Sequence, residues 1–147
     1  MPPKELTYVH VAKFSVSKIF DEQYKAKLPE LMRKTAAKQV EKSKLLTIKP
    51  PKDKKAPGFY LDGSLKLAMG EKGGKVLLAG EVKLVMATWP KKSMFAFPTG
   101  TAKIVANPDD LEGDIRALVD ALMTSVVKDQ AVKEFEKRSK TLATSKP

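Results

Sequence analysis

Residues 59–105 read FYLDGSLKLAMGEKGGKVLLAGEVKLVMATWPKKSMFAFPTGTAKIV, and their alternation decides the fold. Leu61, Gly63, Leu65, Leu67 and Met69 alternate with Tyr60, Asp62, Ser64, Lys66 and Ala68, the period of a strand with two unlike faces. Glu71-Lys72-Gly73-Gly74 supplies the turn chemistry of a hairpin. Val76, Leu78, Gly80, Val82 and Leu84 then return along one face. Pairing Leu67 with Leu78 and Leu65 with Gly80 aligns the two apolar sets, so the pattern selects that register. It sets Tyr60 opposite Val85 on the other face, where Ala87 and Trp89 follow. A third strand over residues 94–105 adds Phe95 and Phe97 to the same side. Pro98 lacks a ladder donor, so a bulge, an edge position or a break is expected there.

Tyr60, Val85, Trp89, Phe95 and Phe97 thus form an apolar cluster on the side of the sheet that should be wet, with Lys91 and Lys92 as a charged rim. Two outcomes are open. Either the first helical segment or the C-terminal tail folds over the cluster as a second small core, or another protein molecule covers it.

Upstream, residues 6–14 (LTYVHVAKF) read as a buried or central strand. Ile19, Phe20, Tyr24 and Leu28 are spaced for a helical turn or two. Pro29 suits a first turn, which predicts a helix over residues 29–42 burying Leu31, Met32, Thr35, Ala36 and Val40; alternatively Pro29 kinks one longer helix from near Ser17. Residues 45–49 form a short strand, and residues 50–58 (PPKDKKAPG) a stiff polar loop. Downstream, Asn107-Pro108-Asp109-Asp110 gives a cap, a proline and acids at the positive end of a helix dipole. Leu111, Ile115, Leu118, Leu122, Met123 and Val126 recur at helical spacing, with a short extension through Ala131, Val132 and Phe135.

The order strand, helix, strand, three meandering strands, helix defines an α/β (α+β) fold. It is a two-layer sandwich in which two main helices cover one face of a mixed sheet of about five strands. The strand–helix–strand start implies a right-handed crossover and one parallel pair. A single domain is expected over residues 1–137, and residues 138–147 (RSKTLATSKP) form a tail with no core pattern.

Composition bounds the function. At 147 residues, 42% hydrophobic and 31% charged, the chain is a globular domain able to bury a core. No apolar run approaches the roughly 18 residues that span a bilayer. The absence of cysteine removes disulfides and thiolate metal sites. With no apolar leader in MPPKE, cytoplasmic residence is the default expectation, and envelope or virion association the alternative.

The net charge of +11 is uneven. Residues 25–55 hold eleven basic side chains against three acidic ones, a net +8 of that total. Arg33, Lys34, Lys38 and Lys42 project from the outer side of the first helix, and Lys52, Lys54 and Lys55 from the loop. The bland reading is a solvated helix face and linker; the sharp one is a site for nucleic acid or an anionic surface.

No catalytic set is visible, and an enzyme is not expected. His10 is the sole histidine, and within a strand it reads as structural. Asp109, Asp110, Glu112 and Asp114 sit where capping explains them better than a cation does. Gly70-Glu71-Lys72-Gly73-Gly74-Lys75 lacks the spacing and following helix of a phosphate loop. No cofactor or metal is expected.

The run Leu84-Val85-Met86-Ala87-Thr88-Trp89-Pro90-Lys91-Lys92-Ser93-Met94-Phe95-Ala96-Phe97, with its acid-started helix beyond, resembles a myxobacterial domain found beside HEAT repeats. The element order is similar to the TolB amino-terminal domain and to curli-secretion-type lipoprotein domains. The chain departs from these in lacking a lipobox cysteine and a repeat array. The resemblance implies a non-enzymatic interaction or assembly module. At fold level only, such a protein is also similar to phage tail-completion proteins. The expectation is therefore a structural protein that self-associates or docks a protein partner near Trp89, with polyanion binding as the alternative.

Overall fold

A computed structural model describes residues 6–144. Its longest strands are those of the hairpin, β4 (Gly58–Lys72) and β5 (Lys75–Trp89). The other described strands are β1 (Thr7–Val11), β2 (Ser15–Ile19), β3 (Leu46–Thr47), β6 (Met94–Ala96) and β7 (Thr99–Ala106). They fill five positions in the order β3–β1–β4–β5–β6, with β2 succeeding β1 alongside β4 and β7 succeeding β6 alongside β5. β1 and β2 run parallel to β4, and β3 parallel to β1; the remaining pairs are antiparallel.

Helices α1 (Leu28–Glu41), α2 (Leu111–Val126) and α3 (Lys133–Thr144) complete the fold, a π-helical turn Val127–Val132 joining the last two. The two main helices α1 and α2 cover one face of the mixed sheet, as the element order implies. Leu61, Leu65, Leu78, Val82, Leu84, Met32, Val40, Val119 and Met123 are all buried between the layers. Gly100 permits the close approach of α2, because a Cβ there would overlap the buried Val126 side chain.

The hairpin closes on Lys72 opposite Lys75, with Gly73 and Gly74 at φ +60° and +76°. Both central residues of this tight turn lie in the left-handed region, which glycine enters without a steric penalty. That turn sets the register: Leu67 faces Gly80 and Met69 faces Leu78, two residues away from the pairing that the apolar pattern selects. A shift of two preserves the faces. Tyr60 therefore lies opposite Ala87, and Asp62 opposite Val85.

Residues 15–19 are a strand, so the helical turn or two expected from Ile19 to Leu28 is reduced to a single 3-10 turn at Glu22–Tyr24. β1 pairs with β4 only from Phe59 to Leu61, so the next stretch of β4 needs another partner for its backbone groups. Ser15–Ile19 provides it, from Ser64 to Leu67. No helix runs on from Ser17, and α1 instead starts at Leu28 with Pro29 in its first turn.

The alternation slips by one residue twice. Val9 and Val11 pack on the core before the β1–β2 junction, Phe14 and Val16 after it. Phe95 packs on the core before Pro98, and Ala102, Ile104 and Ala106 after it. The break expected at Pro98 separates β6 from β7. A bulge also pairs Met86 with Ala96 but Ala87 with Met94. This turns Phe95 to the helix side, against Phe59 at 5.9 Å and Phe135 at 6.2 Å. Phe95 is thereby removed from the expected interface.

The chain beyond Lys137 also departs from expectation, since residues 138–144 belong to α3 rather than to a tail without structure. Phe135 is fully buried and stacks on Phe59 at 4.8 Å. The Ser43 hydroxyl donates to the Glu136 carboxylate at 2.6 Å, tying α3 to the end of α1. Residues 145–147 of the expected tail lie outside the described residues. At the start of α2 the acids serve as caps. The Asn107 side chain accepts from the Asp109 amide, Asp110 from the Gly113 amide, and Asp114 from the Asn107 amide.

Candidate interaction face of the sheet

The face opposite the helices carries a stack of rings built from three strands. β1 pairs His10 with Tyr60 of β4, and Gly58 of β4 pairs with Trp89 at the end of β5. His10 lies parallel to the Trp89 indole at 4.1 Å, with an interplanar angle of 10°. Tyr60 is parallel to both, at 5.9 Å from His10 and 6.3 Å from Trp89. Tyr8 meets Trp89 edge-on at 6.1 Å. Lys92 follows in the turn, its ammonium 5.1 Å from the Tyr60 ring centre and 5.9 Å from that of Trp89. The turn is held by Thr88: its amide donates to the Ser93 carbonyl, its carbonyl accepts from the Lys92 amide, and its side-chain hydroxyl accepts from the Ser93 amide.

Hydrogen bonds fix the polar ends of the rings. The Tyr8 hydroxyl and His10 Nδ1 share a bond of 2.8 Å, and the Tyr60 hydroxyl donates to Asp62 at 2.7 Å. Burial, with the nearby Lys92 charge, holds the His10 imidazole below its ordinary range. Burial pushes up the Tyr8 phenol. For Tyr60, burial and then the bond to Asp62 and its charge push the phenol up to about 12. The cluster is thus a π surface with Lys92 and Asp62 at its margin.

Of the five expected interface residues, Tyr60, Trp89 and Val85 are half-buried and Phe97 is 62% exposed on this face, while Phe95 is in the core. Among the described residues neither route proposed for covering the cluster operates: residues 15–19 of the first expected helical segment are a strand of the sheet, and α3 packs its Phe135 on the helix side. Ala87 is sealed, at 1% exposure beside Tyr60 and Met94, and Tyr8 is buried beside Trp89. Sequence reasoning missed Tyr8 and His10 as partners of Trp89. Their own alternation in β1 placed them on one face, but only the β1–β4 pairing shows that it is the face of Tyr60.

The expected polyanion site is divided. Lys34, Lys38 and Lys42 are exposed along one side of α1. Arg33 is turned to Glu30, with N···O distances of 2.6 and 3.1 Å. Lys52, Lys54 and Lys55 are exposed in the separate loop before β4. A further set went unread, since Lys18, Lys66, Lys83 and Lys103 are exposed on the open sheet face. They are the polar members of the strand alternation.

No family model matches the sequence, and no curated protein is similar to it. The class defined here, helices on one face of a mixed sheet with the other face open, recurs among solved bacterial proteins. A Helicobacter pylori protein described as a homolog of the neuraminyllactose-binding hemagglutinin is 13% identical, with a TM-score of 0.58 over 98% of this chain and 92% of that one. The PelC dodecamer subunit of Paraburkholderia phytofirmans is 12% identical, with a TM-score of 0.53 over 84% and 87%. Rare lipoprotein B of Shewanella oneidensis is 14% identical, with a TM-score of 0.50 over 93% and 99%.

These likenesses establish the shared fold, and they overturn two expectations. The resemblance to a HEAT-repeat-associated myxobacterial domain falls, because the fold is shared instead with a hemagglutinin homolog, a PelC subunit and a rare lipoprotein. The residues that carried it, around Trp89, serve local turn and stacking geometry. The expectation of cytoplasmic residence falls too, since the fold is shared with a lipoprotein. Among the described residues, no helix is long and apolar enough to cross a membrane.

Proposed function

We propose that this chain is a non-catalytic assembly module of the cell envelope that associates with copies of itself through the open sheet face around Trp89. The observation that carries this reading is the ring stack of Tyr8, His10, Tyr60 and Trp89 on the face that the helices leave free, continued by the exposed side chains of Met94 and Phe97. Aromatic surface with a charged margin is the composition of interface cores. The shared fold of a protein that forms a dodecamer supports self-association, and that of a lipoprotein supports the envelope. Sedimentation of the wild type beside Trp89→Ala combined with Phe97→Ser tests it. An oligomer that the double variant converts to monomers is expected, and a wild type that stays monomeric at the highest soluble concentration defeats the reading.

Polyanion binding stands second, favoured by the exposed line of Lys34, Lys38 and Lys42. It requires binding of nucleic acid or anionic vesicles that weakens steeply with salt as counterions are released.

A further inference from the structure

Both slips of alternation occur at the same level of the sheet, on either side of the central β4–β5 pair. The Ala12 amide bonds to the Leu61 carbonyl where β1 gives way to β2, and the Leu84 amide to the Pro98 carbonyl where β6 gives way to β7. Each slip turns its residue to the open face: Lys13 on one side, Phe97 on the other. Between them lies a groove of about 360 Å³, the size of a small-ligand site. Its floor is one continuous cross-strand row. Ser15 pairs with Ser64, Ser64 with Lys83, and Lys83 with Thr99. Three hydroxyls and the side chains of Lys13 and Lys83 therefore line the groove, while Phe97 and Val85 form an apolar wall.

We propose that this groove binds a phosphate monoester that carries an apolar arm. A tetrahedral phosphate presents three oxygens to donors arriving from several directions, which suits hydroxyls and ammonium groups spread over four strands better than a planar carboxylate does. The arm lies on Phe97, whose 62% exposure leaves its ring available. Two carboxylates stand nearby. Asp62 in the lining accepts from the Tyr60 hydroxyl, and Glu81, one row away, reaches Lys83 only at 3.9 Å between exposed side chains. Lys13 has no ion pair among the described residues, and Lys18 and Lys66 add positive charge beside the row. The groove shares Phe97 and Val85 with the surface proposed for self-association, whereas Lys13 and Lys83 lie outside that surface, so the lysine variant separates loss of phosphate binding from loss of association.

Titration of the full chain with hexyl phosphate and with inorganic phosphate, followed by amide NMR shifts, tests the proposal. Hexyl phosphate is expected to move the amides of Ser15, Ser64, Lys83 and Thr99 and to bind more tightly than inorganic phosphate. Lys13→Gln with Lys83→Gln weakens it roughly tenfold or more, through loss of charge-assisted bonds. Phe97→Ser reduces hexyl phosphate to the affinity of inorganic phosphate. Both lysines are exposed, so the variant keeps the wild-type spectrum and the wild-type sedimentation behaviour. Vesicles of phosphatidic acid in phosphatidylcholine distinguish the sources. Co-sedimentation lost in the lysine variant identifies a lipid headgroup, and hexyl phosphate binding without vesicle binding identifies a soluble ester. Absence of binding, shifts centred on α1, or affinity unchanged in the lysine variant overturns the proposal.

Discussion

Phe135→Ala tests whether the last helix belongs to the core. The ring is fully buried, stacked on Phe59 at 4.8 Å and set edge-on to Phe95 at 6.2 Å. Burying a phenyl group contributes roughly 2–3 kcal/mol of transfer free energy. Each aromatic pair adds about 0.5–1.5 kcal/mol. With the cavity left behind, the substitution should cost about 3–5 kcal/mol, or roughly 10 °C in Tm for a domain of this size. Urea unfolding followed through Trp89, the sole tryptophan, measures it. Trp89 stands on the opposite face of the sheet, so it reports cooperative loss of the whole fold. Phe97→Ala, at 62% exposure, is the matched control and should change stability by no more than about 0.5 kcal/mol. A loss below about 1 kcal/mol at Phe135, no larger than the control, would show that α3 adds nothing to the core and refute the reasoning.

Gly100→Ala should destabilise by about 1–3 kcal/mol, because its Cβ meets the stiff, buried Val126 side chain; a neutral effect on the urea midpoint would show that α2 stands further from the sheet. His10 is held below its ordinary 6.5, so the unfolded chain takes up the proton first. Stability from the neutral imidazole is present above 6.5 and lost as pH falls through the folded-state value. The urea midpoint of the wild type should fall over that acid range more than that of His10→Gln, and parallel profiles would contradict the stacking geometry. Tyr60 has the opposite sign: its contribution is present below pH 10 and is lost as pH rises through about 12. Ultraviolet titration should therefore show a late-ionising phenol that Tyr60→Phe removes; ionisation of all three tyrosines together near 10 would count against the Asp62 bond.

Periodic segments were the legible part of this fold. The two faces of β4 and β5, helix α1 behind Pro29 and the capped start of α2 all follow from local pattern, because each satisfies its own backbone and buries its own stripe. Residues 15–19 were not legible, since SVSKI becomes a strand only through an empty edge of β4 some fifty residues away. Phe95 was misplaced for a related reason: alternation carries a reader through residues 94–105 without notice of the residue absorbed at the bulge. Phe135 carried a visible apolar signal, but its partners Phe59 and Phe95 lie on distant strands. The candidate site was half legible. Tyr60 and Trp89 were found from the hairpin, whereas His10 and Tyr8 came into view only with the parallel pairing of β1, which no local pattern encodes.

The hairpin also bears on the order in which the chain becomes organised. Lys72 and Lys75 meet across two residues, and each further pair up to Gly58 and Trp89 adds to a ladder already begun. Val9 and Phe59 can meet only by drawing together a segment of about fifty residues. By the logarithmic dependence of loop-closure entropy on length, that difference amounts to roughly 3 kcal/mol. The β4–β5 ribbon is therefore the first long-lived pairing expected in the folding chain, a template on which the amino-terminal strands dock late. Substitutions at the Gly73-Gly74 turn should slow folding, while those in β1 and β2 should mainly hasten unfolding.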